Sequence, residues 1–197
     1  MIIIQHRVND LDSLIITPTS MGVEIDVRSN SNELYLSHDP FVPGVSLEMF
    51  LKSYNHSLLV LNIKEDGLEE RCLELLVRHE VRSYFFLDQP APSLIRRGLR
   101  GNRDGACRYS EYEHFESVSL MAKFCDWVWV DFFHASRLDT LRIASLVSLG
   151  LKICVVSPEL HSKDRVNEVS FLVESFQHLG FIPDAVCTKF PELWLQL

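Results

Sequence analysis

The 197-residue sequence lacks the features that mark several common classes of protein. It has no excess of basic charge, since 19 Lys and Arg against 27 Asp and Glu give a net charge of −8, and we therefore expect no nucleic-acid partner. No apolar run approaches the ~20 residues that cross a bilayer. The short apolar N-terminus also lacks the basic lead-in of a secretory signal. We therefore expect no membrane anchor.

Neither a Cys-x-x-Cys pair nor a linker is visible in the sequence. The cysteines each lie in or beside an apolar run: Cys72, Cys107, Cys125, Cys154 and Cys187. A free thiol in such a place behaves as a small hydrophobe, which predicts reduced core thiols and a cytoplasmic protein. Because no stretch rich in proline, glycine or serine divides the chain, we expect one domain over residues 1–197. No pattern indicates an oligomeric state.

Short β-branched and aromatic runs alternate with stretches of helical period. The predicted strands are residues 2–5, 23–27, 58–63, 83–87, 105–108, 127–130, 152–156 and 185–188. The predicted helices are residues 68–78, 93–99, 113–124, 138–149 and 165–179. Eight strands joined in this way predict an α/β fold, a small closed (β/α)8 TIM barrel. The alternative is an open, doubly wound sheet.

Residues 34–37 form a short apolar run close behind the second predicted strand. The run predicts a small antiparallel excursion, which would deliver His38 near the C-terminal ends of the parallel strands. In β/α barrels that end carries the chemistry. Trp127 and Trp129 lie two residues apart and so share one face of a strand, where we expect them to pack against outer helices.

Polar residues stand where core or strand-end residues are expected. Glu24 and Asp26 lie two apart on a strand and so share a face, which is either the barrel interior or an exposed edge. If they face inward, the two anions need a proton or a cation, and a hard divalent ion is the natural partner. His6 follows the first strand and His38 follows the excursion. Taken alone, each is also compatible with an ordinary core histidine.

Four segments together resemble the glycerophosphodiester phosphodiesterase family: His6-Arg7, Glu24-Ile25-Asp26, His38-Asp39-Pro40 and Asn62-Ile63-Lys64. The resemblance implies a TIM barrel, here without the small cap domain that members commonly insert, acting on a small or polymer-linked phosphodiester. It implies that His6 and His38 act as general acid and base, because imidazole titrates near working pH.

The resemblance also assigns binding roles. Glu24 and Asp26, with Asn62, would hold Mg²⁺ or Ca²⁺, and Arg7 and Lys64 would contact the phosphate. Arg108, at the end of a predicted strand, is a further candidate phosphate contact.

The chain departs from the family's pattern at several positions. Asn62 stands where the family has a glutamate ligand, so one negative charge is lost, and Asp88, Asp131 and Glu65 are candidates to compensate. Val8 stands in place of a glycine, and Lys189 in place of an aspartate. Two alternatives therefore stay open. One is a catalytically silent barrel that binds a phosphorylated ligand, and the other is a metal-free, lyase-type phosphodiesterase that stops at a cyclic phosphate.

Overall fold

The computed structural model describes residues 1–30, 33–134 and 140–197, in which strands and helices alternate. The strands are β1 (Ile2–Gln5), β2 (Gly22–Asn30), β3 (Glu33–Leu36), β4 (Leu59–Ile63), β5 (Tyr84–Leu87), β6 (Ala106–Tyr109), β7 (Trp127–Val130), β8 (Lys152–Val156) and β9 (Ala185–Thr188). The helices are α1 (Leu11–Ile16), α2 (Leu47–Ser53), α3 (Glu69–Arg78), α4 (Ala91–Leu99), α5 (Phe115–Met121), α6 (Thr140–Ser148) and α7 (Asn167–Leu179). All eight predicted strands are present. The predicted helix 138–149 is present as α6, and its first two residues lie outside the described residues.

Eight of these strands run parallel and surround one interior. β1 pairs with β2 and β9, β2 with β4, β4 with β5, and β6 to β9 pair in chain order. The remaining seam, between β5 and β6, is joined by one bridge between Phe86 and Gly105. There the Phe86 N–H donates to the Asp104 carbonyl at 2.8 Å. The predicted (β/α)8 barrel is confirmed, and the open doubly wound sheet is wrong.

β3 is the antiparallel excursion that the sequence predicts. It pairs with the second half of β2, with Val27 opposite Leu36. The chain then turns back, and the Ser37 N–H donates to the Asp26 carbonyl at 3.0 Å. His38 is thereby held beside Asp26 of β2, at the C-terminal mouth of the barrel.

Neither α1 nor α2 is predicted from a helical period, because both are short. Only the start of α2 has a signal in the sequence, since Ser46-Leu47-Glu48 resembles a helix start that the family has after its His-Asp. α1 has six residues, too few to display a helical period, and of these only Leu14 is buried. Its signal lies instead at its start, where Asp10 is the N-cap and accepts from the Ser13 N–H at 2.7 Å. α2 has the same kind of start, with the Ser46 hydroxyl accepting from the Met49 N–H at 3.1 Å.

The barrel interior is filled by alternate residues of the strands. One buried cluster contains Ile4, Val60, Phe85, Trp127 and Trp129, drawn from four strands across the barrel. Trp127 stacks on Phe85 with ring centroids 4.5 Å apart. The prediction that the two tryptophans pack against outer helices is therefore wrong. The outer helices contact the opposite face of β7, where Val128 and Val130 lie.

The five cysteines are all buried and free, as predicted. Burial raises the pKa of the Cys72 thiol to about 12, so it stays protonated at neutral pH. In the described part of the chain, no helix is long and apolar enough to span a bilayer.

Candidate active site

The C-terminal end of β1 presents His6 and Arg7 to the barrel mouth. Arg7 adopts a left-handed backbone conformation, with φ at 56°. Its N–H donates to Glu24 Oε2 at 2.8 Å, and the next N–H, of Val8, donates to the Glu24 carbonyl at 2.8 Å. A charge-assisted hydrogen bond of this kind offsets the cost of a backbone conformation that residues other than glycine rarely adopt.

Glu24 and Asp26 point into the barrel, because Val23, Ile25 and Val27 occupy the opposite face of β2 in an outer apolar cluster. Both carboxylates are buried, with Glu24 1% and Asp26 0% exposed. Of the two orientations that the sequence leaves open, the inward one is correct. β4 adds Asn62 in register with Asp26, and Asn62 Nδ2 donates to Glu24 Oε1 at 3.0 Å.

Asp26 is held by partners on three sides. Lys64 Nζ lies 2.9 Å from its Oδ1. Asn9 makes a two-way contact, because its Nδ2 donates to Asp26 Oδ2 and its Oδ1 accepts from the Asp26 N–H, each at 2.8 Å. His38 Nδ1 lies 3.4 Å from Asp26 Oδ2. The sequence gives no role to Asn9, although it lies only three residues after His6.

Each of the two histidines lies beside one of the buried carboxylates. His6 Nε2 lies 3.9 Å from Glu24 Oε2, and the His6 Nδ1 is buried with no hydrogen-bond partner among the described residues. His38 is the more open of the two, since its side chain is 39% exposed against 13% for His6. Both rings therefore have nitrogen atoms available at the edge of the same cavity or close beside it.

Burial and charge shift the pKa values at this site in opposite directions. Burial, reinforced by the neighbouring Asp26 charge, raises the pKa of Glu24 to about 7. Burial alone would also raise the pKa of Asp26, but Lys64 and the Asn9 hydrogen bond outweigh it and lower that pKa. Burial lowers the pKa of His6 to about 3, with further contributions from Arg7 and Lys189. In the metal-free protein Glu24 is therefore partly protonated near pH 7, while His6 is neutral.

The opposite side of the mouth is built around Arg108. Its guanidinium lies 2.6 Å from Asp88 Oδ1 and donates to Asp131 as well. His161 Nε2 lies 3.2 Å from the other Asp131 oxygen. Two carboxylates thus already neutralise Arg108, the residue predicted to contact phosphate. The sequence gives no role to His161, which lies 30 residues from Asp131 in the chain and reaches it because β7 and β8 pair side by side.

One cavity of about 400 Å³ joins both sides. Its walls include most of the predicted site residues: His6, Arg7, Glu24, Asn62, Lys64 and Arg108. Asp26 and His38 adjoin it through their contacts with Lys64 and with each other. Trp129, Phe133 and His161 also line the cavity and are absent from the predicted set. A cavity of this size accommodates a small phosphodiester.

Comparison with known proteins bears on the fold. No known family profile and no curated protein matches the sequence. Among crystal structures, a candidate glycerophosphoryl diester phosphodiesterase from Agrobacterium tumefaciens superposes with a TM-score of 0.71 at 15% identity, over 98% of this chain and 95% of that one. This chain has the same barrel fold.

Two further crystal structures agree with this assignment. A glycerophosphoryl diester phosphodiesterase from Parabacteroides distasonis gives a TM-score of 0.66 at 14% identity, over 98% of this chain and 84% of that one. A glycerophosphodiester phosphodiesterase from Agrobacterium tumefaciens gives 0.67 at 14% identity, over 100% and 99%. At 14–15% identity this similarity shows the fold, while the chemistry depends on the side chains of the site.

The residues that fit a divalent cation are Glu24, Asp26 and Asn62. Asn62 Oδ1 is buried and accepts no hydrogen bond from any described residue. Two carboxylates and an amide oxygen are a donor set of the kind that Mg²⁺ and Ca²⁺ prefer. Over residues 1–30, 33–134 and 140–197, no three His, Cys, Asp or Glu side chains converge as a metal cluster.

The three carboxylates named as possible compensation for Asn62 do not reach this set. Asp88 and Asp131 bind Arg108 across the mouth. Glu65 accepts from the Ser29 hydroxyl at 2.5 Å and lies 3.8 Å from the Arg28 guanidinium. The expectation of compensation is therefore wrong, and the candidate set has two charged ligands.

Proposed function

We propose that this chain is a metal-dependent phosphodiester hydrolase of the glycerophosphodiester phosphodiesterase type, acting on a small phosphodiester. The observation that carries the proposal is the meeting of His6, Glu24, Asp26, His38 and Lys64 at one barrel mouth, from three strands and the loop after β3. Phosphodiester cleavage needs a proton acceptor for the attacking hydroxyl and a proton donor for the leaving oxygen. Two imidazoles, one beside Glu24 and one beside Asp26, are candidates to meet that need.

Each residue then has a distinct task. His6, whose Nδ1 has no hydrogen-bond partner among the described residues, is assigned as the acceptor of the proton from the attacking hydroxyl, and His38, the more exposed ring, as the donor to the leaving oxygen. Arg7 and Lys64 hold the phosphate oxygens, and Arg108 is a third candidate for this. Glu24, Asp26 and Asn62 would hold Mg²⁺ or Ca²⁺, which when bound neutralises phosphoryl charge and polarises the phosphorus. Arg7 is well placed to contact the phosphate, since its side chain is exposed, lines the cavity and makes no ion pair with the described residues.

The first experiment is hydrolysis of bis(p-nitrophenyl) phosphate and glycerophosphocholine after EDTA treatment, with Mg²⁺ or Ca²⁺ added back. We expect added metal to restore turnover. We expect His6→Ala and His38→Ala each to lower kcat by at least about 100-fold, the usual scale of general acid or base catalysis. His178→Ala, on an exposed position of α7, is the matched control and keeps full activity. Full activity in both site variants would refute the assigned roles.

Asn62 supports one alternative function. With two carboxylates instead of three, and with Lys64 already occupying Asp26 at 2.9 Å, the barrel is a candidate phosphate-binding protein without turnover. That function predicts calorimetric binding of glycerol phosphate and no hydrolysis with any divalent metal.

A metal-free lyase-type reaction is the other alternative. It predicts turnover that EDTA leaves unchanged and a cyclic phosphate as the end product.

Two coarser properties complete the proposal. We infer a single catalytic domain over residues 1–197, since the eight barrel strands extend from β1 to β9. We infer a cytoplasmic location from the five free, buried thiols, which are typical of proteins in a reducing compartment. Localisation of a tagged full-length chain in cells tests the second inference.

A further inference from the structure

A second cavity, of about 300 Å³, lies beside the candidate active site. It lies at the barrel seam where β5 and β6 share one bridge, between α4 and α5, and we call it the seam cavity. Its lining is mostly apolar: Ala91, Leu94, Ala106, Cys107, Val118 and Met121. The other neighbouring barrel strands pair over two to five residues, so the weak seam is where the barrel wall leaves such a space.

The seam cavity and the active-site cavity share part of their walls. Asp88, Arg108 and Glu113 line both. Arg108 is held by Asp88 and Asp131, which keeps its charged end on the active-site side. The stem of an arginine covers apolar surface while its head stays in a polar environment. A charged cavity and an apolar cavity therefore lie on the two sides of the Arg108 side chain.

We propose that the seam cavity binds the aliphatic part of an amphiphilic phosphodiester whose phosphate lies between His6 and Lys64. The inference rests on the proposed function and narrows its substrate class to diesters of an alcohol with an alkyl chain. An apolar space of this kind offers water few partners, so filling it with alkyl groups is favourable. At about 30 Å³ for each water-sized group, the cavity of about 300 Å³ holds at most roughly ten carbon atoms.

The experiment measures binding of ethyl phosphate and octyl phosphate to the full chain by calorimetry. Each buried methylene tightens binding by up to about fourfold, so burial of two of the additional methylenes is enough for about tenfold. We expect octyl phosphate to bind at least tenfold more tightly than ethyl phosphate. In parallel, hydrolysis of p-nitrophenyl ethyl phosphate and p-nitrophenyl octyl phosphate is followed with added Mg²⁺, and we expect the same order in kcat/KM.

A pair of matched variants distinguishes alkyl binding in the seam cavity from nonspecific hydrophobic binding elsewhere on the protein. Ser117 is an exposed residue of α5 at the rim of the cavity, and Ser117→Phe would fill it. Ser170 is an exposed residue of α7 away from the cavity, and Ser170→Phe adds the same ring there. We expect Ser117→Phe to bring the ratio of octyl to ethyl affinities close to one, and Ser170→Phe to leave the ratio unchanged.

The outcomes distinguish this inference from the proposed function. Tighter octyl binding that Ser117→Phe removes, without turnover of any diester, supports the seam cavity and refutes hydrolysis. Hydrolysis with equal affinity for both phosphates supports the proposed function and refutes the seam cavity as an alkyl site. An octyl preference that both variants leave in place also refutes it.

Discussion

Replacing Glu24 by glutamine should stabilise the metal-free protein at alkaline pH and abolish its activity. Glu24 is 1% exposed, and its pKa rises from 4.5 in an ordinary setting to about 7 in the folded protein. A raised pKa means that the folded state binds the proton more tightly than the unfolded chain does. The resulting stability is present below about pH 4.5 and is lost as the pH rises through about 7. The difference amounts to about 3 kcal/mol.

Glutamine keeps the shape of the side chain without its charge. Its oxygen can still accept from the Arg7 N–H. Its NH2 group replaces Oε1, which now accepts from Asn62 Nδ2, so the Asn62 amide has to turn over before its unpartnered Oδ1 can accept from the new NH2 group. We therefore expect Glu24→Gln to gain about 3 kcal/mol at pH 8, which is about 6–12 °C in Tm for a chain of this length. Near pH 4.5 we expect almost no difference.

The assay is thermal unfolding in EDTA at pH 4.5 and pH 8, with Glu174→Gln on exposed α7 as the control. Turnover is measured on the same samples with Mg²⁺ restored, and it should be lost because the proposed metal site then keeps only one carboxylate. A gain in Tm that is the same at both pH values, or a loss at pH 8, would refute the account of Glu24 as a strained buried anion.

Three other substitutions test neighbouring parts of the structure. Lys64→Met leaves the fully buried Asp26 without its cation and should cost about 3–5 kcal/mol in urea unfolding at pH 7. Asp10→Ala removes the N-cap of α1 and should cost about 1 kcal/mol, or roughly 2–4 °C in Tm. Because the hydrogen bond from Ser13 lowers the pKa of Asp10, that difference should disappear as the pH falls through the lowered value. Asn62→Asp adds a carboxylate beside Glu24, so calorimetry should show at least about tenfold tighter Ca²⁺ binding together with a lower Tm in EDTA.

The sequence predicts the barrel well because its strands carry a strong local signal. β1, β7, β8 and β9 begin and end where the sequence predicts. Each is a run of mainly apolar residues followed by polar or turn residues, and this signal depends only on residues that are close in the sequence. β2 adds a second signal, since its two acidic residues alternate with Val23, Ile25 and Val27 and so share one face, which the structure shows to be the inward one.

The same local signal fails where a strand has no polar marker. β7 is apolar throughout, so alternation cannot tell which face meets the barrel interior and which meets the helices. The placement of Trp127 and Trp129 is wrong for this reason. Arg108 shows a related limit, because its partners Asp88 and Asp131 lie 20 and 23 residues away in the chain and only the lateral arrangement of β5, β6 and β7 makes them neighbours.

The charges at the mouth also explain why anion binding and cation binding should assist each other. Lys64 is paired with Asp26 at 2.9 Å, and Arg108 is paired with two carboxylates, so two of the three predicted phosphate contacts are already neutralised. A divalent cation at Glu24 and Asp26 would take over the neutralisation of Asp26. The Lys64 ammonium would then be available to a phosphate oxygen, and Glu24 would stay ionised at a lower pH. An anion held by Arg7 and Lys64 would in turn favour the cation, because linkage between two sites is reciprocal.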